Sequence, residues 1–293
     1  MIKKLVALAL LQLSCFANMR IHEFGIKNFA YEMQTEAHVY SLLKQFPLLQ
    51  NIDYVAVPWA YLRDHNGVKA INGIQVENGF TVCQHIHFKE MIPAMKECGV
   101  TVLFTPHADC DEYKDVKLIP LPHYPINGVD PNPIKDIYYS FVGYDTHESR
   151  TKLFKRLSHP DNTVIIARTK YHYWRPVEDD KQHEIEYKDI LSRSRFSLCP
   201  RGTGPSTIRF WESLQAGAIP IVISDAMRFP DGFDWDSCII KVPEKHVGLL
   251  FEKLAEITPE REETMRNNCL KAFNIFCRED NFLTVIRNYY AEN

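Results

Sequence analysis

The eight cysteines (Cys15, Cys83, Cys98, Cys110, Cys199, Cys238, Cys269, Cys277) contain no C-x-x-C pair and no dense framework, which excludes a disulfide-stapled scaffold. Cys83 ends the run from Phe80 and Cys238 precedes Ile239-Ile240, the settings of buried thiols, and this favours a reducing compartment. Positive charge is not in excess either. The 34 Lys and Arg stand against 37 Asp and Glu, a formal charge of −3. That balance removes the broad basic footprint of a nucleic-acid or anionic-membrane binder, so any bound anion is held locally. No internal repeat and no low-complexity tract interrupts the chain, and 45% hydrophobic with 24% charged residues excludes a disordered or fibrous architecture. At 293 residues, length favours two domains over one.

Long apolar runs are also missing. Lys3-Lys4, the run Leu5 to Leu13 and then Cys15-Phe16-Ala17 imitate a signal peptide, yet the run is short for a membrane span. Residues 1–18 therefore read as a signal or anchor segment, with a first strand, a buried helix and a start at Met19 as alternatives.

What is present is alternation of strand and helix. Val39, Leu42, Leu43 and Phe46 take the i, i+3, i+4, i+7 spacing of a helix with one buried face, closed by Pro47. Tyr54 to Pro58, Phe80 to Cys83, Val100 to Phe104 and Val116 to Leu121 are short runs of strand character, and His87 to Cys98 is a helix with Gly99 at its end. Four prolines between Pro122 and Pro133 break every period, which puts a linker there and domains at 19–130 and 131–293. Beyond it the alternation resumes: strands at Tyr138 to Val142, Val164 to Ala167, Phe196 to Cys199, Ile219 to Ser224 and Cys238 to Val242, with helices at Ser149 to Leu157, Tyr187 to Arg193 and Ser206 to Ala216. Helical patterns fill the chain after Lys245, with Pro259 opening one helix and Asp280 capping another. The fold class expected is α/β, two Rossmann-like doubly wound domains facing a cleft.

Chemistry concentrates between Ser194 and Asp225, a strand, a glycine loop, a helix and a strand. Gly202 and Gly204 let the backbone approach a ligand, and Ser206 stands where a helix begins with free N–H groups, the elements of an anion site. Arg209 in the first turn can fork onto phosphate oxygens, and Glu212 one turn on can accept from a ribose diol. On spacing alone the same two residues also read as an exposed i, i+3 ion pair. G-T-G-P-S lacks the third glycine of a dinucleotide fingerprint and the lysine of a P-loop.

The run Arg195-Phe-Ser-Leu-Cys-Pro-Arg-Gly202, then Ser206, Arg209, Glu212-Ser-Leu214 and Gly217-Ala-Ile-Pro-Ile-Val-Ile-Ser-Asp225 resembles the signature block of exostosin-like glycosyltransferases. Phe233-Asp-Trp-Asp-Ser237, Val242-Pro-Glu-Lys245, and Tyr139-Ser-Phe-Val-Gly143 with Arg150 resemble its flanks, so the likeness runs from about Tyr138 onward. Ser213 and Ala218 depart from the alanine and cysteine common there, and the N-terminal half matches only through Tyr54 to Pro58 and Phe80 to His85.

The resemblance implies a GT-B fold and inverting transfer from a nucleoside-diphosphate sugar, commonly uridine-linked, to a glycan or glycoconjugate, in polysaccharide biosynthesis. It implies donor binding through Arg201, Gly202, Gly204, Ser206, Arg209, Glu212 and Arg150 without a metal cofactor. It also implies a membrane-associated protein, at the cytoplasmic face in a bacterium or the Golgi lumen in a eukaryote. A general base must reach the acceptor hydroxyl, and strand C-terminal ends rank His85 first, before His87, His107 and Asp109. Two other readings compete. One is a metal-dependent hydrolase using His85, His87, His107, Asp109 and His123, while Asp109-Cys-Asp111 and Asp234-Trp-Asp236, which resemble the D-x-D pair of metal-using transferases, read as turn and capping residues. The other is a non-catalytic nucleotide-sugar-binding partner subunit.

Overall fold

In the computed structural model, residues 19–30, 35–48, 51–65, 67–68, 71, 73–109, 113–155, 158–168 and 178–292 are described. The reading of residues 1–18 as a targeting segment lies outside them, as do Cys15, Cys110 and Asp111. Two compact units form. One takes the chain through Thr105, with Asp111–Ile119 and Ile286–Asn293; the other takes Pro106–Cys110 and Pro120–Val285.

The first unit holds β1 (Arg20–Glu23), α1 (Thr35–Gln45), β2 (Asp53–Ala56), α2 (Trp59–Asp64), β3 (Gly79–Val82), α3 (Ile92–Glu97), β4 (Val100–Thr105) and β5 (Lys117–Pro120). Its sheet runs β1-β2-β3-β4-β5, advancing without reversal, and the first four strands are parallel. The edge strand β1 and helix α2, neither expected from the pattern, are explained by their neighbours. Arg20 forks onto Asp53 at 2.7 and 2.8 Å and His22 Nε2 lies 2.7 Å from the same carboxylate, so polar side chains fasten β1 to β2. Trp59, fully buried on α2, donates its indole N–H to Thr81 Oγ1 at 2.7 Å.

Gly99 ends α3 at φ 82°, in the left-handed region, and a β-carbon there would overlap the Val76 carbonyl oxygen. Gly99→Ala is therefore expected to destabilise this unit by at least ~2 kcal/mol, measured as a fall in the urea midpoint with unchanged slope.

The second unit holds β6 (Ile137–Tyr144), α4 (Glu148–Lys155), β7 (Val164–Arg168), α5 (Glu178–Arg193), β8 (Ser194–Pro200), α6 (Ile208–Ala216), β9 (Ile219–Ile223), β10 (Ile240–Lys241), α7 (Leu250–Ala255) and α8 (Pro259–Phe276). The parallel sheet has the order β10-β9-β8-β6-β7, so the chain first steps outward from β6 to β7 and then reverses to β8 on the other side. That reversal is the doubly wound topology expected from the sequence, and it lies between β6 and β8. Apolar residues saturate the central strands, with Ile219 to Ile223 buried throughout, as parallel strands covered on both faces require.

The division of the chain differs from the expected break at 130/131. The proline-rich segment belongs to the second unit, where Val129 is buried with Leu191, Ala216 and Ala218. Prolines end periodic hydrogen bonding without preventing burial, so the break in pattern did not mark a break in packing. The final helix, α9 (Thr284–Glu292), gives its last turns to the first unit, where Tyr290 meets Phe80 at 5.5 Å between ring centroids and Tyr289 meets Phe104 at 5.7 Å. Among the described residues, no helix is long and apolar enough to cross a membrane. Six cysteines, Cys83, Cys98, Cys199, Cys238, Cys269 and Cys277, are free and buried.

Candidate functional site

In an open α/β sheet the crevice beyond the strand C-termini, at the point where strand order reverses, is the place a ligand fits. Here that point is flanked by the ends of β6 and β8, and the residues reaching it are cationic. Arg150 comes from α4, Arg201 and Gly202 from the loop leaving β8, and Arg209 from the first turn of α6. The helix starts at Ile208 rather than Ser206, because Thr207 is still extended at φ −140°, ψ 138°. Thr207 makes no side-chain cap, so the first N–H groups of α6 have no side-chain acceptor from it. Ser206 and Gly204 are buried in the loop before it.

The three arginines are held differently. Arg150 donates Nε to the Arg201 carbonyl at 2.9 Å, Nη1 to the Tyr144 carbonyl at 3.0 Å and Nη2 to the Pro200 carbonyl at 3.3 Å. It clamps the ends of β6 and β8 and shapes the glycine loop. A β-carbon on Gly202 would come within 3.1 Å of its Nη2, so a larger residue there would press on the clamp. Arg201 is held loosely, with 3.3 and 3.4 Å donations to the Thr203 and Gly202 carbonyls and Glu244 Oε1 3.7 Å away. Arg209 donates Nη2 to the Val142 carbonyl, and its guanidinium carbon lies 4.4 Å from the Phe141 ring centroid and 5.7 Å from that of Tyr187. Its Nε is buried and has no hydrogen-bond partner. Gly143 makes this close seat possible, since a β-carbon there would stand 3.1 Å from Arg209 Nη2.

Glu212 takes three hydrogen bonds from within the second unit. It is 2% exposed, and Oε1 accepts the Asn127 backbone N–H at 3.1 Å and its amide Nδ2 at 2.7 Å. Oε2 accepts the Tyr187 hydroxyl at 2.5 Å. The exposed ion pair is not what this geometry displays. Asn127 and Tyr187 carried no sequence signal for this role, since they lie 85 and 25 residues away in the chain. Beside the loop, Glu244 accepts the Asp225 N–H at 2.8 Å, and His147 Nε2 is 4.0 Å from its Oε2. Burial, and then Arg201 nearby, hold His147 below the usual histidine range.

His85 lies in the first unit just beyond the end of β3, its side chain 11% exposed. Nδ1 accepts the His87 backbone N–H at 3.0 Å, which leaves the proton on Nε2, 3.1 Å from Asp64 Oδ1. Burial lowers its pKa, and Asp64 works against that. His87 is more exposed, 3.7 Å from Glu90. In the second unit the buried His107 and His123 meet edge to face at 4.9 Å. Asp236 is exposed and paired with Lys241. Among the described residues, no three His, Cys, Asp or Glu side chains are grouped to hold a metal ion.

The fold and site define an α/β unit with a cationic crevice at a topological switch point. The Exostosin GT47 domain matches residues 77–257, more than half of the chain, and the chain belongs to that family. It is 28% identical over 145 residues to an exostosin-1 homolog of Caenorhabditis elegans, a stretch covering 46% of this chain and 38% of the relative. It is 24% identical over 251 residues to a probable glucuronosyltransferase 47 A of Physcomitrium patens, covering 78% of this chain and 53% of that one. The chain thus spans about half or less of the length of these relatives. Among solved structures, the lipopolysaccharide outer core galactosyltransferase WaaB aligns over 94% of this chain and 99% of its own at 12% identity and a TM-score of 0.42, too distant to bear on residues or activity.

Proposed function

We propose that this protein transfers a sugar from a nucleoside-diphosphate donor, uridine-linked as the sequence resemblance implies, to a carbohydrate or glycoconjugate acceptor with inversion at the anomeric carbon. One observation carries the reading: the first turn of α6 carries Arg209 to the end of β6, beside the glycine loop that leaves β8 with Arg201, and Arg209 keeps a buried N–H without a partner. An unpaired buried donor costs about 1–3 kcal/mol, which an incoming phosphate oxygen offsets.

In this reaction the acceptor hydroxyl attacks the anomeric carbon as the bond to the diphosphate breaks, and negative charge grows on the departing diphosphate. Arg201, Arg209, Ser206 and the Gly202–Gly204 backbone receive that charge without a metal, while Arg150 holds the loop in shape. His85 takes the hydroxyl proton on Nδ1, exchanging the His87 N–H for the acceptor, while Asp64 holds the Nε2–H side. The same donor chemistry rests on the names of relatives, which include a probable β-1,4-xylosyltransferase and a probable glucuronoxylan glucuronosyltransferase of Arabidopsis thaliana.

Calorimetry of the chain from residue 19 onward against a panel of nucleoside diphosphates, with chelator present, tests the reading. Saturable binding of one member is expected. Failure of every nucleotide to bind would overturn it.

A further inference from the structure

Glu212 and Arg209 share a helix face one turn apart, yet they do not pair with each other: the carboxylate is filled by Asn127 and Tyr187, and the guanidinium lies against two rings. The two arrangements meet in one side chain. The Tyr187 hydroxyl is fixed by Glu212 Oε2 at 2.5 Å, and the ring bearing that hydroxyl is the second of the two against Arg209. Asn127 fixes the other carboxylate oxygen through two donors, so Glu212 cannot rotate away without leaving three hydrogen bonds unmade. Building on the donor reading above, we infer that Asn127, Glu212 and Tyr187 form a positioning relay that fixes the Arg209 guanidinium for a diphosphate.

Three features fit this assignment and not an ordinary core contact. A guanidinium has five N–H donors in a rigid plane, so its aim is set once the plane is set. The Phe141 and Tyr187 rings, with the Val142 carbonyl, fix that plane, and Gly143 leaves the room for it. The donor left over is Nε, buried and without a partner, on a helix turn whose own N–H groups lack a side-chain cap. Burial and the adjacent Glu212 also push the Tyr187 phenol well above its ordinary value, so it stays protonated and donating across the physiological range.

The test uses Tyr187→Phe, which keeps the ring and deletes the hydroxyl, and Glu212→Gln, which keeps the shape and deletes the charge. Two readouts are taken on the full chain. The first needs no ligand: exchange of the Arg209 Nε–H with solvent, followed by nitrogen-edited NMR. It is expected to be at least about fivefold faster in both variants, each measured well below its own melting temperature. Unchanged exchange in both would overturn the relay whatever the protein binds. The second is calorimetry with the nucleoside diphosphate the wild type binds. Tyr187→Phe is expected to weaken it about 5- to 30-fold, and to add nothing when Arg209 is already lysine. Full additivity of the two changes would show that Tyr187 does not act through Arg209. If the wild type binds no nucleotide, the donor reading fails, and the exchange measurement still decides the relay.

Discussion

Arg209→Ala is expected to weaken nucleoside-diphosphate binding by about 10- to 150-fold, the effect of losing hydrogen bonds to a charged group worth ~1.5–3 kcal/mol. The size follows from where the guanidinium sits. It is partly buried beside two aromatic rings, so its charge acts in a less polar medium than an exposed arginine's, and its aim is set before the ligand arrives. Much of the ordering cost of binding is thus already met in the unliganded protein. The alanine variant also loses the tie to the Val142 carbonyl, which joins the start of α6 to β6. Arg209→Lys separates the two effects: it keeps a cation near the crevice but cannot fork, so binding should be intermediate while the melting temperature stays near wild type. Arg150→Ala should behave differently. Its guanidinium donates to three carbonyls, so its loss should lower stability as well as affinity. Equal binding by Arg209→Ala and wild type would remove Arg209 from the donor site.

Apart from β1, the strands of both sheets were legible because parallel strands buried on both faces read as unbroken apolar runs, and Ile219 to Ile223 is such a run. The glycine loop and the arginine in the first turn of α6 were legible because helix start, loop and strand end are adjacent in the chain. What the sequence hid are the partners that act at long range. Asn127 lies in a proline-rich stretch that reads as a linker, and its pairing with Glu212 spans 85 residues. Tyr187 occupies a helix face where a tyrosine is ordinary. The ribose role expected for Glu212 rested on which side of the helix it shares with Arg209. Periodicity gives direction but not partners, and the carboxylate proves to take three hydrogen bonds from within the unit. The same limit explains β1: Arg20–Glu23 is only four residues long and alternates weakly, and it is held by the ion pair to Asp53 rather than by an apolar face. Return of α9 to the first unit is equally invisible, since an amphipathic helix does not record which sheet covers it.

His85→Asn is expected to lower kcat by about 10²- to 10⁴-fold, the usual contribution of a positioned general base, while nucleoside-diphosphate affinity stays at the wild-type value. Binding should be spared because the proposal gives the diphosphate to Arg201, Arg209 and the glycine loop, and gives His85 only the acceptor hydroxyl. A base must be unprotonated to act, so kcat/KM should fall as pH drops through the His85 pKa. Burial lowers that pKa and Asp64 only partly restores it. The acid limb should therefore lie below about 6.5, the ordinary histidine value, and should vanish in the asparagine variant. Asp64→Asn adds a second check. It removes the acceptor that holds the Nε2 proton, so it should lower kcat by less than His85→Asn and move the acid limb further down, the loss of a negative neighbour disfavouring the imidazolium. An acid limb that survives unchanged in His85→Asn, with turnover intact, would place the base on another residue.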